Sequence, residues 1–373
     1  MGSVLLAPDK FKGTLSGAEV AASLAEGIRS RRPETEVITL PVADGGDGSL
    51  AAFEAAGFER VTVVASDANG RTAPTWYARR DATAVVELAQ VAGLAGLGGA
   101  LAPLSASSRG LGELIAHALD GGCTRIVVAI GGSASTDGGA GLLQALGARV
   151  RDASGAEVGP GGAGVATVAS LDLTALHPGL ATAQIEIACD VDNPLTGAHG
   201  AAAVYGPQKG ADPAQVTQLD AALGHWADVV AATTGHDHRD LPGAGAAGGV
   251  GFGAVAVLGA RLRPGAALIL EQLGFAEALT RADLLVTGEG SLDRQTLRGK
   301  APAAVAAAGR AAGVPVIAVA GRCLLTSRQL RAAGFERVYT LLDEAATRQE
   351  AFGNGAALLE RIGARLGERL RDG

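Results

Sequence analysis

Glycine and aspartate are concentrated in four short segments, each of which follows an apolar run and precedes a predicted helix. The segments are Pro41–Ser49, Gly131–Gly141, Cys189–Gly197 and Thr287–Pro302. Glycine lets the backbone approach a ligand closely, and a helix N-terminus adds a partial positive charge, so such turns suit phosphate. Aspartate alone would repel a phosphate, but it can hold a divalent cation that binds the phosphate oxygens. The four segments therefore predict an enzyme that uses a magnesium-bound nucleotide.

Two of these segments carry side chains with the chemistry of metal ligands and bases. Asp44 and Asp47 lie on either side of two glycines, directly after an apolar run, and they suit Mg²⁺. Asx turns and helix N-caps use the same residue type, so this structural interpretation stays open beside the metal site. Asp190 and Asn193 follow another apolar run, where they fit either a turn or a base with an amide partner.

Lysines near the glycine segments are the candidates for contacts with phosphate. Lys300 lies where a helix is predicted to begin, and a cation is disfavoured there unless an anion lies close by. Glu289 and Asp293 flank the same segment. Lys10 and Lys209 offer further positive charge, although either could simply be solvated. We therefore expect Lys300 to contact a phosphate group.

Three other patterns do not lead to their usual chemistry. Gly243–Gly248 has the spacing GxGxxG, but Leu241 and Pro242 precede it instead of a strand, which argues against a dinucleotide-binding fold. His236 and His238 have no third ligand nearby and predict a solvated loop. The sequence contains no GxxxxGK[ST], so an ATP-dependent enzyme with this sequence would not be a P-loop protein.

Composition limits the partners and the location of the protein. A chain of 373 residues predicts two domains, and a net charge of −7 with 3% aromatic residues argues against a nucleic-acid partner. Cys123, Cys189 and Cys323 are far apart and form no CxxC, which predicts reduced thiols in a cytoplasmic protein. The apolar run Val4–Ala7 is followed at once by Asp9, so no signal peptide is predicted, and no apolar stretch predicts a membrane partner.

Apolar periodicity places the glycine segments at the ends of strands. Val4–Ala7 and Val37–Leu40 predict buried strands around a helix that Ser16 and Glu19 begin with a capping box, a unit typical of parallel sheets. Residues 61–97 contain short segments separated by turns, which favour antiparallel strands. The further predicted elements are a helix at Ser107–Leu119, strands at Arg125–Ile130, Gln184–Ala188, Asp283–Val286, Val314–Ala320 and Val338–Leu342, and a helix from Pro302.

These elements predict an α/β fold with two α/β domains. One is a doubly wound Rossmann- or flavodoxin-like parallel sheet, discontinuous in sequence, made from residues 1–60 and 272–373, with residues 105–147 as an open addition. The other is an inserted mixed-sheet α/β domain of residues 61–271.

The same segments carry a resemblance to a known family. The chain resembles the bacterial glycerate kinases of the type that includes the glyoxylate- and glucarate-pathway enzymes, and the resemblance extends from end to end. It rests on Ala7-Pro8-Asp9 with Lys12, PVADGGDGS (41–49), Ser108-Arg109-Gly110 with Gly112-Glu113-Leu114, GGSASTDGGAGLLQALGA (131–148), ACDVDNPLTG (188–197), YGPQKGA (205–211), PGAGAAGG (242–249) and TGEGSLDRQTLRGKAP (287–302).

The resemblance implies a reaction and a place for it. It implies ATP-dependent phosphorylation of D-glycerate at the 2-hydroxyl, giving 2-phosphoglycerate and ADP with Mg²⁺, in a cleft between two α/β domains. A kinase for the 3-hydroxyl and a non-catalytic nucleotide-binding regulator remain the alternatives. Monomer and homodimer both stay open, as do the preferences for metal and nucleotide.

Roles for single residues in this reaction follow from their chemistry. We expect Asp190 to take the hydroxyl proton, and Lys300 and Lys209 to neutralise phosphate oxygens as further catalytic residues. Arg109 suits the glycerate carboxylate, because a guanidinium grips a carboxylate through two parallel hydrogen bonds. The remaining candidates are Asp44 and Asp47 for the metal, Ser108, Asn193 and Lys10 for the substrate, and Gly131, Gly132, Ser133, Gly288, Glu289, Gly290 and Asp293 for the nucleotide phosphates.

One departure from the family pattern lies near the predicted phosphate site. Ser291 occupies a position where many relatives have arginine. Arg294 or Arg298 could take over the role of that arginine, and the effect of Ser291 on affinity stays open.

Overall fold

The computed structural model describes residues 2–370, apart from the side chain of Arg298. The chain divides into two compact units. The flavodoxin-like unit comprises the described residues of 1–44, 51–57 and 265–373, and the inserted unit comprises Gly45–Leu50 and Phe58–Pro264. The chain therefore enters the inserted unit twice, first for six residues and later for a long continuous stretch.

Strands and short helices alternate along the described residues. The strands are β1 (Ser3–Pro8), β2 (Glu36–Thr39), β3 (Glu59–Ser66), β4 (Thr72–Arg80), β5 (Thr83–Glu87), β6 (Arg125–Ala129), β7 (Arg149–Asp152), β8 (Val168–Asp172), β9 (Gln184–Ala188), β10 (Arg261–Arg263), β11 (Leu284–Leu292), β12 (Val316–Cys323) and β13 (Arg337–Thr340).

The helices differ widely in length. They are α1 (Gly17–Arg31), α2 (Ser49–Ala55), α3 (Ala89–Ala92), α4 (Arg109–Asp120), α5 (Ala140–Ala145), α6 (Gly161–Val165), α7 (Ala201–Tyr205), α8 (Pro213–Thr234), α9 (Ala246–Leu258), α10 (Gly265–Gln272), α11 (Phe275–Thr280), α12 (Ala301–Ala312), α13 (Ser327–Ala333), α14 (Leu341–Glu344), α15 (Arg348–Gly353) and α16 (Gly355–Arg369).

The flavodoxin-like unit is built on a parallel sheet of order β13-β12-β11-β1-β2. Numbered by this unit's own strands, the order is 2-1-3-4-5 read from β2, which is the flavodoxin-like arrangement. Every residue of β1 is buried, as expected for a central parallel strand. Ser16 and Glu19 form the predicted capping box of α1, and the helix packs against α16. The predicted doubly wound domain is confirmed.

The inserted unit contains a mixed sheet of order β10-β9-β6-β5-β4-β3. Strands β10, β9, β6 and β5 are parallel, whereas β4 and β3 are antiparallel, in agreement with the prediction for residues 61–97. Two hydrophobic clusters form its core, one between the sheet and helix α4, the other around the buried Trp226 of α8. The predicted inserted mixed-sheet domain is likewise confirmed.

Two glycine segments differ from their predicted local structure. The strand expected to end at Val286 continues to Leu292, because Gly288, Glu289 and Ser291 keep parallel pairing with β12. At the start of α9, Ala247, Gly248 and Gly249 have positive φ values in the left-handed region. A side chain at Gly248 or Gly249 would make this backbone conformation strained. Within residues 2–370, no helix has the length and apolar character that crossing a bilayer requires.

Candidate active site

Polar residues of the flavodoxin-like unit collect at the carboxyl ends of β1, β2 and β11. Strands β1 and β11 are neighbours at the point where the strand order reverses, which is where sheets of this kind bind ligands. Asp9 follows β1, and its N–H donates to Gly288 O at 2.8 Å. Asp44 follows β2 in a stretch that returns to β1 through a hydrogen bond from Val42 N to Pro8 O. We call Asp9, Asp44 and Glu289 the acidic edge.

Burial and mutual repulsion act together on the acidic edge. Burial raises the pKa of Asp9 to about 7, and the charges of Asp44 and Glu289 add to this rise. Burial also raises the pKa of Glu289, against a hydrogen bond from Thr296 Oγ1 to Glu289 Oε1 at 2.6 Å. Removing Asp9 and Glu289 from water and placing them near other carboxylates disfavours the ionised forms of these two groups, so a bound cation would be stabilised here.

Lys300 and Asp293 lie beside this edge. Lys300 precedes α12, as predicted, and its Nζ lies 3.7 Å from Glu289 Oε2. The amide of Lys10 donates to Asp9 Oδ1 at 2.7 Å. Asp293 closes an Asx turn by accepting from Gln295 N at 2.7 Å, so its carboxylate shapes the loop between β11 and α12. The structure thus brings Lys10, Asp44, Glu289, Asp293 and Lys300 into one region of this unit.

Within the inserted unit, the segment Gly45–Leu50 lies against the carboxyl ends of β5 and β6. Gly131 N donates to Gly45 O at 3.3 Å. A Cβ at Gly131 would lie 2.6 Å from Gly46 Cα, so only glycine allows this approach. The glycine-rich segments that contain Asp47 and Gly131 are therefore in direct contact, and the side chain of Asp47 is exposed.

Asp137, which the sequence analysis did not select, organises the loop that follows β6. Its fully buried carboxylate accepts hydrogen bonds from Ser108 N at 2.7 Å and Ser108 Oγ at 2.9 Å, and from Gly139 N and Gly141 N. Burial raises the pKa of Asp137, and these hydrogen bonds act in the opposite direction. Ser108 Oγ in turn accepts from Leu142 N, so the hydroxyl predicted for substrate joins two loops of the protein itself.

Lys209 is buried in the same network. Its Nζ donates to the carbonyl oxygen of Ser135 and lies 3.4 Å from Ser133 Oγ. Burial lowers the pKa of Lys209 to about 7, while the charge of Asp137 acts to raise it. The side chain is 2% exposed. The ammonium group thus holds the Ser133–Ser135 turn, and its predicted contact with phosphate stays a prediction.

Arg109 is the first residue of α4, and about half of its side chain is exposed. Its Nε donates to Glu113 Oε1 at 3.0 Å, one helical turn away. Glu113 also accepts from Ser66 N at 2.7 Å and from Ser66 Oγ. Glu113 therefore orients the guanidinium of Arg109 through its Nε. The predicted contact with a substrate carboxylate would use the two terminal nitrogens.

Asp190 and Asn193 lie in the loop after β9, which begins where predicted. Asp190 is exposed. The amide of Asn193 is engaged on both sides, since its Nδ2 donates to His199 O at 2.8 Å and its Oδ1 accepts from Tyr205 Oη at 2.6 Å. Asn193 thus closes its own loop, and its predicted role in binding substrate stays a prediction.

The candidate residues form two sets, one in each compact unit. Asp44 belongs to the flavodoxin-like unit and Asp47 to the inserted unit, although only two residues separate them. Asp9, Glu87 and Asp137 were missed. Asp9 lies two residues after the apolar run Val4–Ala7, and this position is a signal that could have found it. The roles of Glu87 and Asp137 depend on contacts with residues distant in sequence.

The residues at the acidic edge fit a magnesium ion that brings ligands of its own. Among residues 2–370, no three His, Cys, Asp or Glu side chains are grouped closely enough to hold a metal by themselves. Mg²⁺ usually takes one or two carboxylates together with phosphate oxygens and water, so a complete protein cage is not required. The repulsion among the acidic edge carboxylates is the feature that such an ion would relieve.

Comparisons with known proteins extend over most of the chain. Residues 4–371 match the model of the glycerate kinase family. A glycerate kinase of Bacillus subtilis (strain 168) is 40% identical over 362 residues, which are 96% of this chain and 95% of that protein. A glycerate 2-kinase of Escherichia coli (strain K12) is 40% identical over 353 residues, which are 94% of this chain and 93% of that protein.

One solved structure is similar over the same length. A crystal structure described as glycerate kinase 2 from Salmonella typhimurium LT2 matches with a TM-score of 0.88 and 40% sequence identity. The match covers 98% of this chain and 97% of that chain.

Proposed function

Because the chain belongs to the glycerate kinase family, we propose that it transfers the γ-phosphoryl group of ATP to the 2-hydroxyl of D-glycerate. The glycerate oxygen forms a bond to phosphorus, the bond to the ADP oxygen breaks, and the hydroxyl proton passes to a base. The products are 2-phosphoglycerate and ADP. The observation that most supports this proposal is the acidic edge beside Lys300, at the switch point of a flavodoxin-like sheet.

Charge neutralisation is the first requirement of phosphoryl transfer. Asp44 and Asp47 would hold Mg²⁺, which supplies positive charge to the terminal phosphates of the nucleotide. Lys300 is the cation best placed for phosphate oxygens in the flavodoxin-like unit, because it lies at the start of α12 and is partly exposed. Its present partner, Glu289, is a carboxylate that a nucleotide-bound cation could take over.

Different side chains are proposed to accept the hydroxyl proton of glycerate and to bind its carboxylate. Asp190 is exposed on the loop after β9 and is the proposed base for the hydroxyl proton. Arg109 is the proposed partner of the glycerate carboxylate, because Glu113 contacts its Nε and a carboxylate can bind across the edge formed by its two terminal nitrogens. Gly131, Gly132 and Ser133 would cradle phosphate oxygens. A site in a cleft between domains, which the resemblance implies, stays a prediction.

The product distinguishes the proposed reaction from its alternatives. Purified protein with D-glycerate, ATP and Mg²⁺ should release ADP only when glycerate is present, and phosphorus NMR should show 2-phosphoglycerate. A 3-phosphoglycerate signal would identify the 3-hydroxyl as the acceptor and overturn the 2-kinase assignment. Nucleotide binding without glycerate-dependent ADP release would identify a non-catalytic nucleotide-binding protein.

A further inference from the structure

A buried carboxylate of the inserted unit holds the segment that carries Asp47. Glu87 is the last residue of β5, and its side chain is fully buried. Its Oε1 accepts the N–H of Gly48 at 2.9 Å, and its Oε2 accepts the N–H of Leu50 at 3.1 Å. An ionised carboxylate is costly to bury unless charge-assisted hydrogen bonds compensate it, and here backbone donors of Gly45–Leu50 supply two of them.

The other end of the segment is held by the neighbouring strand. Strands β5 and β6 are parallel, with Glu87 paired to Ala129, so Gly131 follows close to Glu87 at the same edge of the sheet. Gly131 N donates to Gly45 O, and its missing side chain admits the backbone of Gly46. Asp47 thus lies between two points of attachment, one at Gly45 and Gly46 and the other at Gly48 and Leu50.

The arrangement restricts the backbone while leaving one side chain outward. Gly45 and Gly48 have φ values of +89° and +86°, which fix a turn that other residues would strain. Asp47 is exposed between them. An apolar side chain at position 87 would avoid the cost of burying a charge, but it could not accept the two N–H groups. The chain therefore places a buried hydrogen-bond acceptor where it holds the backbone on one side of the exposed Asp47.

We propose that Glu87 is a positioning residue for phosphoryl transfer, acting through the backbone of Gly45–Leu50 to present Asp47 to the magnesium-bound nucleotide. The proposal rests on the proposed function, since Asp47 is assigned to the metal there. Glu87 itself touches neither metal nor substrate in this scheme. Groups that orient a metal ligand in this way typically change metal affinity or activity about 10- to 100-fold when they are replaced.

The first test replaces one acceptor oxygen. Glu87→Gln keeps the size of the side chain, but its amide nitrogen cannot accept, so either Gly48 or Leu50 loses its acceptor. We expect the Mg²⁺ concentration for half-maximal activity to rise, or kcat to fall, by about 10- to 100-fold, with KM for glycerate changed by less than about 3-fold. Asp152→Asn is the matched control, because it makes the same exchange at a carboxylate that accepts backbone N–H groups elsewhere in this unit.

A second measurement needs neither metal nor turnover. In Glu87→Gln without ligands, amide hydrogen exchange at Gly48 or at Leu50 should accelerate at least about 10-fold, because one of these two N–H groups loses the carboxylate oxygen that protects it. Exchange at both positions should be unchanged in Asp152→Asn. Unchanged protection in Glu87→Gln, with a folded protein, would overturn the proposal.

A double-variant cycle separates this proposal from the proposed function. If Glu87 acts through Asp47, the combined Glu87→Gln and Asp47→Asn variant should be no worse than Asp47→Asn alone. If the losses of activity of the two single variants multiply in the double variant, the role of Glu87 is overturned. The same follows if Glu87→Gln has normal activity while Asp47→Asn is impaired. Neither result would affect the proposed function. A normal Asp47→Asn would instead remove Asp47 from the metal site, and the positioning role would fail together with that assignment.

A variant on the opposite side of the segment covers the case in which Glu87→Gln does not fold. Gly131→Ala would press its Cβ on Gly46 without altering Glu87. We expect the same rise in Mg²⁺ requirement, again absent in the Asp47→Asn background. Because Gly131 is also a candidate for the nucleotide phosphates, KM for ATP is measured in the same variants. With KM for ATP unchanged, a rise that persists in the Asp47→Asn background would show that displacing the segment acts by another route and would overturn the proposal, as would the absence of any rise in folded Gly131→Ala.

Discussion

The carboxylates of the two compact units have different surroundings. In the flavodoxin-like unit, Asp9, Asp44 and Glu289 lie near one another, and their repulsion adds to the effect of burial. In the inserted unit, Glu87 and Asp137 are each surrounded by backbone donors. Repulsion between neighbouring carboxylates favours the binding of a cation, whereas several hydrogen bonds from the backbone to one carboxylate favour a fixed loop. The acidic edge is therefore the region where a bound cation would relieve repulsion, whereas Glu87 and Asp137 hold loops of the inserted unit.

The largest effect is expected where the inserted unit would supply chemistry itself. Asp190→Asn should lower kcat at least about 100-fold with nucleotide binding retained, which is the scale of a lost general base. Steady-state kinetics with a separate ATP-binding measurement would check this. Asp192→Asn, a neighbouring exposed carboxylate, is the control. Near-normal turnover in Asp190→Asn would remove Asp190 from the role of the base.

Lys300 tests the acidic edge as a phosphate site. Lys300→Met should raise KM for ATP about 10- to 100-fold, because a hydrogen bond between charged groups is lost. Arg328→Gln, on α13 of the same unit, should leave KM for ATP unchanged. If KM for glycerate rises instead of KM for ATP, Lys300 binds the acceptor and the assignment of this region must change.

Arg109 should distinguish the two substrates. Arg109→Lys keeps the charge but loses the planar pair of donors, so KM for glycerate should rise about 10-fold with little change in KM for ATP. Initial rates over both substrates provide the measurement. Equal increases in both KM values would contradict a specific contact with the glycerate carboxylate.

Stability of the metal-free protein should fall with rising pH because of Asp9. Its pKa is about 7 in the folded protein and 3.8 in the reference state, so the folded chain binds more protons between these values. Asp9→Asn removes this titration. The free energy of unfolding of the variant, relative to that of the natural protein, should therefore increase as pH rises from about 4 to about 7. Thermal unfolding of both proteins across this range without Mg²⁺ is the measurement, and a constant difference in stability would contradict the raised pKa of Asp9.

Lys209 should produce the opposite pH response. Its pKa is about 7 when folded and 10.5 in the reference state, so the unfolded chain binds more protons between these values and stability rises with pH. Lys209→Met abolishes this titration. The free energy of unfolding of the natural protein, relative to that of the variant, should therefore rise between about pH 7 and 10. If the stabilities of the two proteins change with pH in the same way over that range, Lys209 stays protonated in the folded protein because the charge of Asp137 stabilises the ammonium group.

Much of the fold could be predicted because it depends on local pattern. The capping box of Ser16 and Glu19 locates α1, and the apolar run Gln184–Ala188 coincides with β9. The extension of β11 to Leu292 could not be predicted in this way, since its glycines are held in the sheet by β12. Pairing between distant segments overrides the local preference of glycine for turns.

The candidate site was predictable in part for the same reason. Lys300 lies at a helix start, as its spacing from Pro302 implies. The role of Asp137 depends on Ser108, 29 residues earlier, and that of Glu87 on Gly48, 39 residues earlier, so neither is visible in a local window. The assignment of Asp44 and Asp47 to different units is equally a result of contacts that the spacing of the two residues does not encode.

The double entry of the chain into the inserted unit also bears on the order of folding during synthesis. The inserted unit ends at Pro264, so it can be completed before the last strands of the flavodoxin-like unit have been synthesised. Strand β1 must wait far longer for β11, as the 280 residues between Ser3 and Asp283 show. Strand β1 therefore pairs with β2 long before its second neighbour, β11, has been synthesised.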